Sequence, residues 1–164
     1  MVRRVTAGER QANRIAFLLP AALLAGAWAS QLIGGLYPCE MCHWQRWPHY
    51  AALVPAFAAF FVKQRSIRAS LVILAALLIA VSGAIGVAHA GVEYGWWQGF
   101  TACTSTVQMG GTSAAERLDA IMRAPVIRCD VAQWTLAGIS LAGFNALFSL
   151  GGAATILVLM RKAR

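Results

Sequence analysis

The sequence predicts an all-α membrane protein: a four-transmembrane-helix bundle with a short amphipathic interfacial helix in its second outer loop. Three observations carry that reading. The 164 residues are 59% hydrophobic and only 12% charged, whereas soluble domains carry about 25% charge. The apolar residues are gathered into long uncharged runs. The basic residues fall almost entirely between and beyond those runs.

Each element can be justified in chain order. Ile15 to Leu36 holds no ionisable group. A bilayer core needs about 20 apolar residues as helix, which places a first span at about 15–36. Arg3, Arg4, Arg10 and Arg14 precede it, and Ala27-Trp28-Ala29 resembles a cleavage site, so a removed signal peptide is the competing reading. Signal cores run only about 7–15 residues, and this run continues past the site, which favours a retained helix. A second span is expected at 43–62, apolar apart from His43, Arg46 and His49 near its start. A third covers 69–90 and ends near His89. Val131 to Met160 is uncharged and longer than a membrane requires, so its helix is expected over 136–160. Backbone groups in lipid must be satisfied within the segment, so helix is the form expected of each. The chain then forms one integral membrane domain, residues 1–164.

The net charge of +8 invites a nucleic-acid reading, but the layout answers it. Arg3, Arg4, Arg10 and Arg14 lie before the first span. Lys63, Arg65 and Arg68 join the second to the third, and Arg161, Lys162 and Arg164 close the chain; Glu9 alone opposes them. Lys and Arg collect in cytoplasmic loops, so both termini and the middle loop are expected in the cytoplasm. Anionic lipid is the partner such charge suits; nucleic acid is not.

Two outer loops remain, about 37–45 and 91–135. The first holds Cys39 and Cys42, the second Cys103 and Cys129. Disulfides persist in oxidising compartments, and two structural bridges are the plain reading. A bridge across two intervening residues closes so small a loop that it constrains the unfolded chain little. C-x-x-C is instead a spacing at which thiol pKa is tuned and exchange is easy. Pro38 suits a helix first turn, whose free N–H groups would favour a thiolate. Arg46 follows Cys42 by one helical turn on the same face; an interfacial anchor is its alternative role. Cys103 and Cys129 read equally as a structural staple or a second redox pair. A four-thiolate zinc site does not match the usual ligand spacing, so no metal is expected.

Between Cys103 and Cys129, Ser113 and Glu116 form a capping box. Ala114, Leu118, Ile121 and Met122 then share one face, and Pro125 ends the helix. Such a helix would lie flat on the membrane surface. Trp44, Trp47, Trp96 and Trp97 fall near the outer boundary, as an aromatic belt does.

The stretch Cys39-Glu40-Met41-Cys42-His43-Trp44-Gln45-Arg46 resembles the C-x-L-C-x-x-Q-R signature of the disulfide bond formation protein B family (DsbB), with Met41 where leucine is usual. The span count, the charge layout and the spaced second cysteine pair extend the likeness over nearly the whole chain. The resemblance implies a quinone-dependent oxidoreductase of the bacterial inner membrane. It would reoxidise a periplasmic thioredoxin-fold dithiol oxidase (DsbA-like) and pass the electrons to ubiquinone or menaquinone. By that resemblance Cys103 is the sulfur attacked by the partner and Cys129 its leaving group. Cys129 would then attack Cys39, the accessible sulfur, releasing Cys42 towards the quinone, with Arg46 and His89 as further quinone contacts. A vitamin K epoxide reductase-like enzyme would carry its loop cysteines ahead of the C-x-x-C, the reverse of the order here. A non-catalytic scaffold stapled by two disulfides is the alternative from another class.

Overall fold

The computed structural model describes residues 5–98, 113–123 and 128–162. Five helices and one hairpin follow in order: α1 Ala7–Leu32, α2 Glu40–Phe61, α3 Arg65–Glu93, α4 Ala114–Arg123, β1 Thr135–Leu136, β2 Ile139–Ser140 and α5 Leu141–Lys162. α1 packs against α2 and α5, and α3 packs against the same two from the other side. The four long helices form a bundle. α1, α3 and α5 are long and apolar enough to cross a membrane. α2 has the length but carries Glu40, His43, Arg46 and His49 in its first half, and so does not stand with them by composition.

The interior is built from small side chains. Ala12, Ala16, Ala52, Ala56, Ala75 and Ala76 are buried together, with Ile79 and Ile156 filling the gaps. Lipid tails are as apolar as leucine, so membrane helices associate by close packing, which small residues allow. At Gly86 a Cβ would meet the backbone of α5, at 3.0 Å from both Ala142 O and Ala146 N. Large apolar side chains such as Leu18, Phe57, Phe61, Leu77 and Leu147 point outward.

Several boundaries differ from the sequence reading. α1 starts at Ala7, ahead of the expected 15, because Thr6 and Glu9 close a capping box: Thr6 Oγ1 accepts the Glu9 N–H at 3.2 Å and Glu9 Oε2 accepts that of Thr6 at 2.9 Å. Glu9 also pairs with Arg65 at 2.6 Å, tying the start of α1 to the start of α3. α1 ends at Leu32, before two glycines, of which Gly35 has φ +64°. The last helix begins at Leu141 rather than near 136. Ala137 and Gly138, at φ 51° and 78°, make the two-residue turn of a hairpin, as positive φ at both centres does. Ser140 Oγ then caps α5 by accepting the Gly143 N–H at 3.1 Å.

α4 occupies the expected residues, and the Ser113–Glu116 capping box is present in both directions, at 3.1 and 3.2 Å. Leu118 and Met122 on its apolar face are exposed. Pro125, expected to stop this helix, lies outside the described residues.

Candidate functional site

Cys39 caps α2. Its backbone is extended, at φ −76° and ψ 175°, and its Sγ accepts the Cys42 N–H at 3.2 Å. A sulfur thus stands where Ser or Asp commonly sits, at the positive end of the helix dipole. Pro38 precedes the cap instead of occupying the first turn, where the sequence reading put it. Cys39 and Cys42 are free thiols with their sulfurs 2.9 Å apart. The hydrogen bond from Cys42 holds the Cys39 thiol well below the usual range; burial opposes it, while the hydrogen bonds from His89 and the Cys42 N–H reinforce it.

Cys129 is disulfide-bonded and 1% exposed. It packs in one buried cluster with Cys39, Met41 and Val92, and Cys42 borders that cluster. Cys103 lies outside the described residues. Cys39, expected to be the accessible sulfur, is 4% exposed, because the end of α3 and the segment around Cys129 close over it. Cys42 is the partly exposed thiol of the pair.

His89, near the end of α3, presents Nε2 to Cys39 Sγ at 3.5 Å and lies 3.7 Å from Glu93 Oε1. Neighbours settle its tautomer. Asn145 Nδ2 donates to the Ser82 carbonyl at 3.2 Å and to Gln45 Oε1 at 2.8 Å. Gln45 Nε2 therefore faces His89 Nδ1, at 2.8 Å, and also reaches the Met41 carbonyl at 3.3 Å. Nδ1 accepts, so the neutral ring carries its hydrogen on Nε2, the nitrogen that faces the Cys39 sulfur.

Arg46 is 8% exposed. Its guanidinium donates to Gln31 Oε1 at 2.8 Å and to the Ala27 carbonyl at 3.0 Å, and its Cζ lies 5.5 Å from the centre of the Trp28 ring. Both oxygens are neutral, and among the described residues no carboxylate pairs with it. Its positive charge therefore stays available to the space beside it. That space is a cavity of about 260 Å³ between α1, α2 and α5, walled by Leu23, Leu24, Phe144 and Phe148, with Cys42, Arg46 and His49 on its border. A smaller pocket of about 50 Å³ touches Cys39, Cys42, Arg46, His89 and Glu93. His89 thus borders the small pocket with the thiols but not the larger cavity.

A largely apolar chamber with one thiol, one unneutralised guanidinium and a polar side of Ser30, Gln45, His49 and Asn145 suits a flat, lipid-soluble ligand that gains negative charge. The sulfurs of Cys39 and Cys42 and a ring nitrogen of His89 also lie within 4.8 Å of one another, a donor set that a soft metal ion could use.

The sequence marked the thiols, Arg46 and His89, and Gln45 only as part of the signature; it gave Gln31, Glu93 and Asn145 no role. Glu93 had a signal, its i+4 spacing from His89. Asn145 and Gln31 had none beyond being polar within apolar runs.

No curated protein and no solved structure matches the chain. The family model "Disulfide bond formation protein DsbB" matches residues 9–159. With three membrane-capable helices and a reduced C-x-x-C at a helix start, the chain belongs to the DsbB family of membrane oxidoreductases in disulfide bond formation.

Proposed function

We propose that this protein is a membrane thiol oxidase that reoxidises a periplasmic thioredoxin-fold dithiol oxidase (DsbA-like) and passes the electrons to a membrane quinone, ubiquinone or menaquinone. The observation that carries the reading is the position of Cys42. It sits beside Cys39 at 2.9 Å and on the border of an apolar cavity that also contains Arg46.

The electrons move in balanced exchanges. A partner thiolate attacks Cys103 of a Cys103–Cys129 disulfide, and Cys129 leaves as thiolate. Cys129 attacks Cys39 of the Cys39–Cys42 disulfide, releasing Cys42 as thiolate. The second partner thiol displaces Cys103, which attacks Cys129 and frees Cys39. The partner ends oxidised, Cys103–Cys129 is restored, and Cys39 and Cys42 hold two electrons. The free thiols of Cys39 and Cys42 beside a disulfide-bonded Cys129 match that last state. Their contact within one buried cluster supports exchange between the two pairs. A bound quinone supplies the two-electron acceptor. Arg46 holds positive charge beside Cys42, and His89 offers a hydrogen bond to Cys39.

The same reading makes α2 the fourth span and the molecule a single domain of the inner membrane, with both termini in the cytoplasm. Cys39 opens α2, His89 lies near the end of α3 and Cys129 precedes α5, so the thiols share one end of the bundle, the periplasmic one. Arg65, Arg161 and Lys162 mark the other. Ala27, Trp28 and Gln31 hold Arg46, which gives α1 a reason to be retained rather than cleaved. α4 would lie on the outer membrane surface. Two unbonded thiols at Cys39 and Cys42 speak against a pair kept as a staple.

The deciding experiment starts purified protein in detergent with a reduced thioredoxin-fold dithiol partner and follows quinone absorbance. Quinol formation matched to partner oxidation, and abolished by Cys42→Ser, supports the proposal. No consumption of either quinone type with active partner, together with a variant that only melts earlier, overturns it.

A further inference from the structure

The large cavity has a second polar wall that the thiol exchange does not use. His49 of α2 lines it with Asn145 of α5, and the ring is 3% exposed. Its Nε2 faces three oxygens: Asn145 Oδ1 at 3.0 Å, Ser82 Oγ at 2.9 Å and Ser149 Oγ at 3.3 Å. Each acts as an acceptor. Asn145 points Nδ2 at the Ser82 carbonyl, which can only accept, so its oxygen must be the atom facing His49. Ser82 gives its own hydrogen to the Gln45 carbonyl at 2.7 Å, and Ser149 gives its to Asn145 Oδ1 at 3.0 Å.

Nε2 therefore carries the ring hydrogen, and Nδ1 of the neutral imidazole is a bare acceptor. That Nδ1 is buried and has no hydrogen-bond partner among the described residues. Buried polar atoms are nearly always paired, and one that is not calls for an explanation. The ring lines the apolar chamber, and a bare lone pair at such a wall is complementary to a hydroxyl and mismatched to a carbonyl oxygen.

We infer that His49 Nδ1 accepts the hydrogen bond of a ring hydroxyl of a hydroquinone held in this cavity, so that the site prefers the reduced carrier to the oxidised one. The inference rests on the quinone reading above and deepens it. Two electrons and the Cys42 proton leave the pair as the disulfide forms, the second proton comes from water because Cys39 is a thiolate, and both quinone oxygens become hydroxyls. One of these meets the lone pair that the oxidised carrier could not use. Tighter binding of the reduced form by about tenfold raises the potential of the bound couple by about 30 mV, which draws electrons off the thiols.

The test compares His49→Gln with the parent protein. The glutamine amide nitrogen stands where Nε2 does, so the contacts to Asn145, Ser82 and Ser149 are kept and Nδ1 is removed. Affinity for a short-chain ubiquinol is measured anaerobically on reduced protein, and for the matching ubiquinone on oxidised protein; neither pair reacts. Loss of one hydrogen bond predicts quinol binding weaker by about five- to tenfold and quinone binding unchanged within about twofold. In parallel, the bare-nitrogen ¹⁵N resonance of His49 in the parent protein shifts on adding quinol and not on adding quinone. That second readout decides the matter if the variant does not fold. A still resonance, or equal changes in affinity for both forms, overturns the role of His49 while leaving the cavity reading intact. A parent protein that binds neither form overturns the quinone reading and this inference with it.

Discussion

His89 holds Cys39, not Cys42: its Nε2 lies 3.5 Å from Cys39 Sγ while Gln45 Nε2 donates to its Nδ1 at 2.8 Å. The ring is therefore oriented from α2 by Gln45 and aimed at the thiol that caps the same helix. A low-pKa thiolate stabilises the reduced pair and makes the disulfide a stronger oxidant.

The thiolate of Cys39 should be visible as ultraviolet absorbance in the reduced protein at neutral pH and should vanish on acidification. His89→Phe removes one donor to that sulfur. Hydrogen bonds to charged groups contribute about 1.5–3 kcal/mol, so the midpoint of this titration is expected to rise by about one to two pH units. An unmoved midpoint would show that Cys42 and the helix start suffice.

The same thiolate links stability to pH. Because the Cys39 pKa is lowered in the folded, reduced protein, its contribution is fully present above the unfolded thiol value of about 8.5. It is lost as pH falls through the lowered folded value. The difference in denaturation free energy between the reduced parent and Cys39→Ser should therefore shrink from alkaline to acid pH. A constant difference would count against a thiolate.

Gln45→Leu leaves His89 Nδ1 and one hydrogen of Asn145 Nδ2 facing an apolar side chain. Burying groups without partners costs about 1–3 kcal/mol each. Unfolding in detergent is expected to be easier by about 2–6 kcal/mol on that basis, and the Cys39 titration should broaden because the ring is no longer held.

Arg46 is bound by a carbonyl, an amide oxygen and an indole face, contacts that fit a planar guanidinium and not an ammonium. On the proposed quinone reading, Arg46→Lys should keep the charge but lose the fork, raising KM for quinone by about tenfold, about 1.4 kcal/mol. Arg46→Met should lower kcat as well. Equal kinetics for the two variants would mean that orientation, not charge, is what Arg46 supplies.

Gly86→Val places a branched side chain against the backbone of α5 at Ala142 and Ala146. Overpacking costs about 1–3 kcal/mol, so a lower Tm is expected. The separation of α3 from α5 should also loosen Asn145 from Ser82, which a changed ¹⁵N spectrum of His49 would report.

The sequence by itself determined the helical bundle, the closeness of Cys39 to Cys42 and the place of Arg46 one turn on, because these rest on composition and short spacing. Long uncharged runs demand helices in lipid, and two residues between cysteines put both sulfurs in one turn whatever surrounds them. It also carried the capping box of α4, an interaction three residues long. Helix starts were less legible: Thr6 with Glu9 extends α1, and Ala137 takes a positive φ that no run of apolar residues announces. Only the tertiary structure decided which groups serve each sulfur. Gln45 and Asn145 are 100 residues apart, as are His49 and Ser149, and a polar residue in a membrane helix shows its partner only once the helices are packed. The burial of Cys39, the turn of His89 towards it and the bare Nδ1 of His49 all follow from that packing. Lipid offers no partners, so polar atoms inside the bundle look to their own helix or across to a neighbour, and His49 Nδ1 finds neither among the described residues.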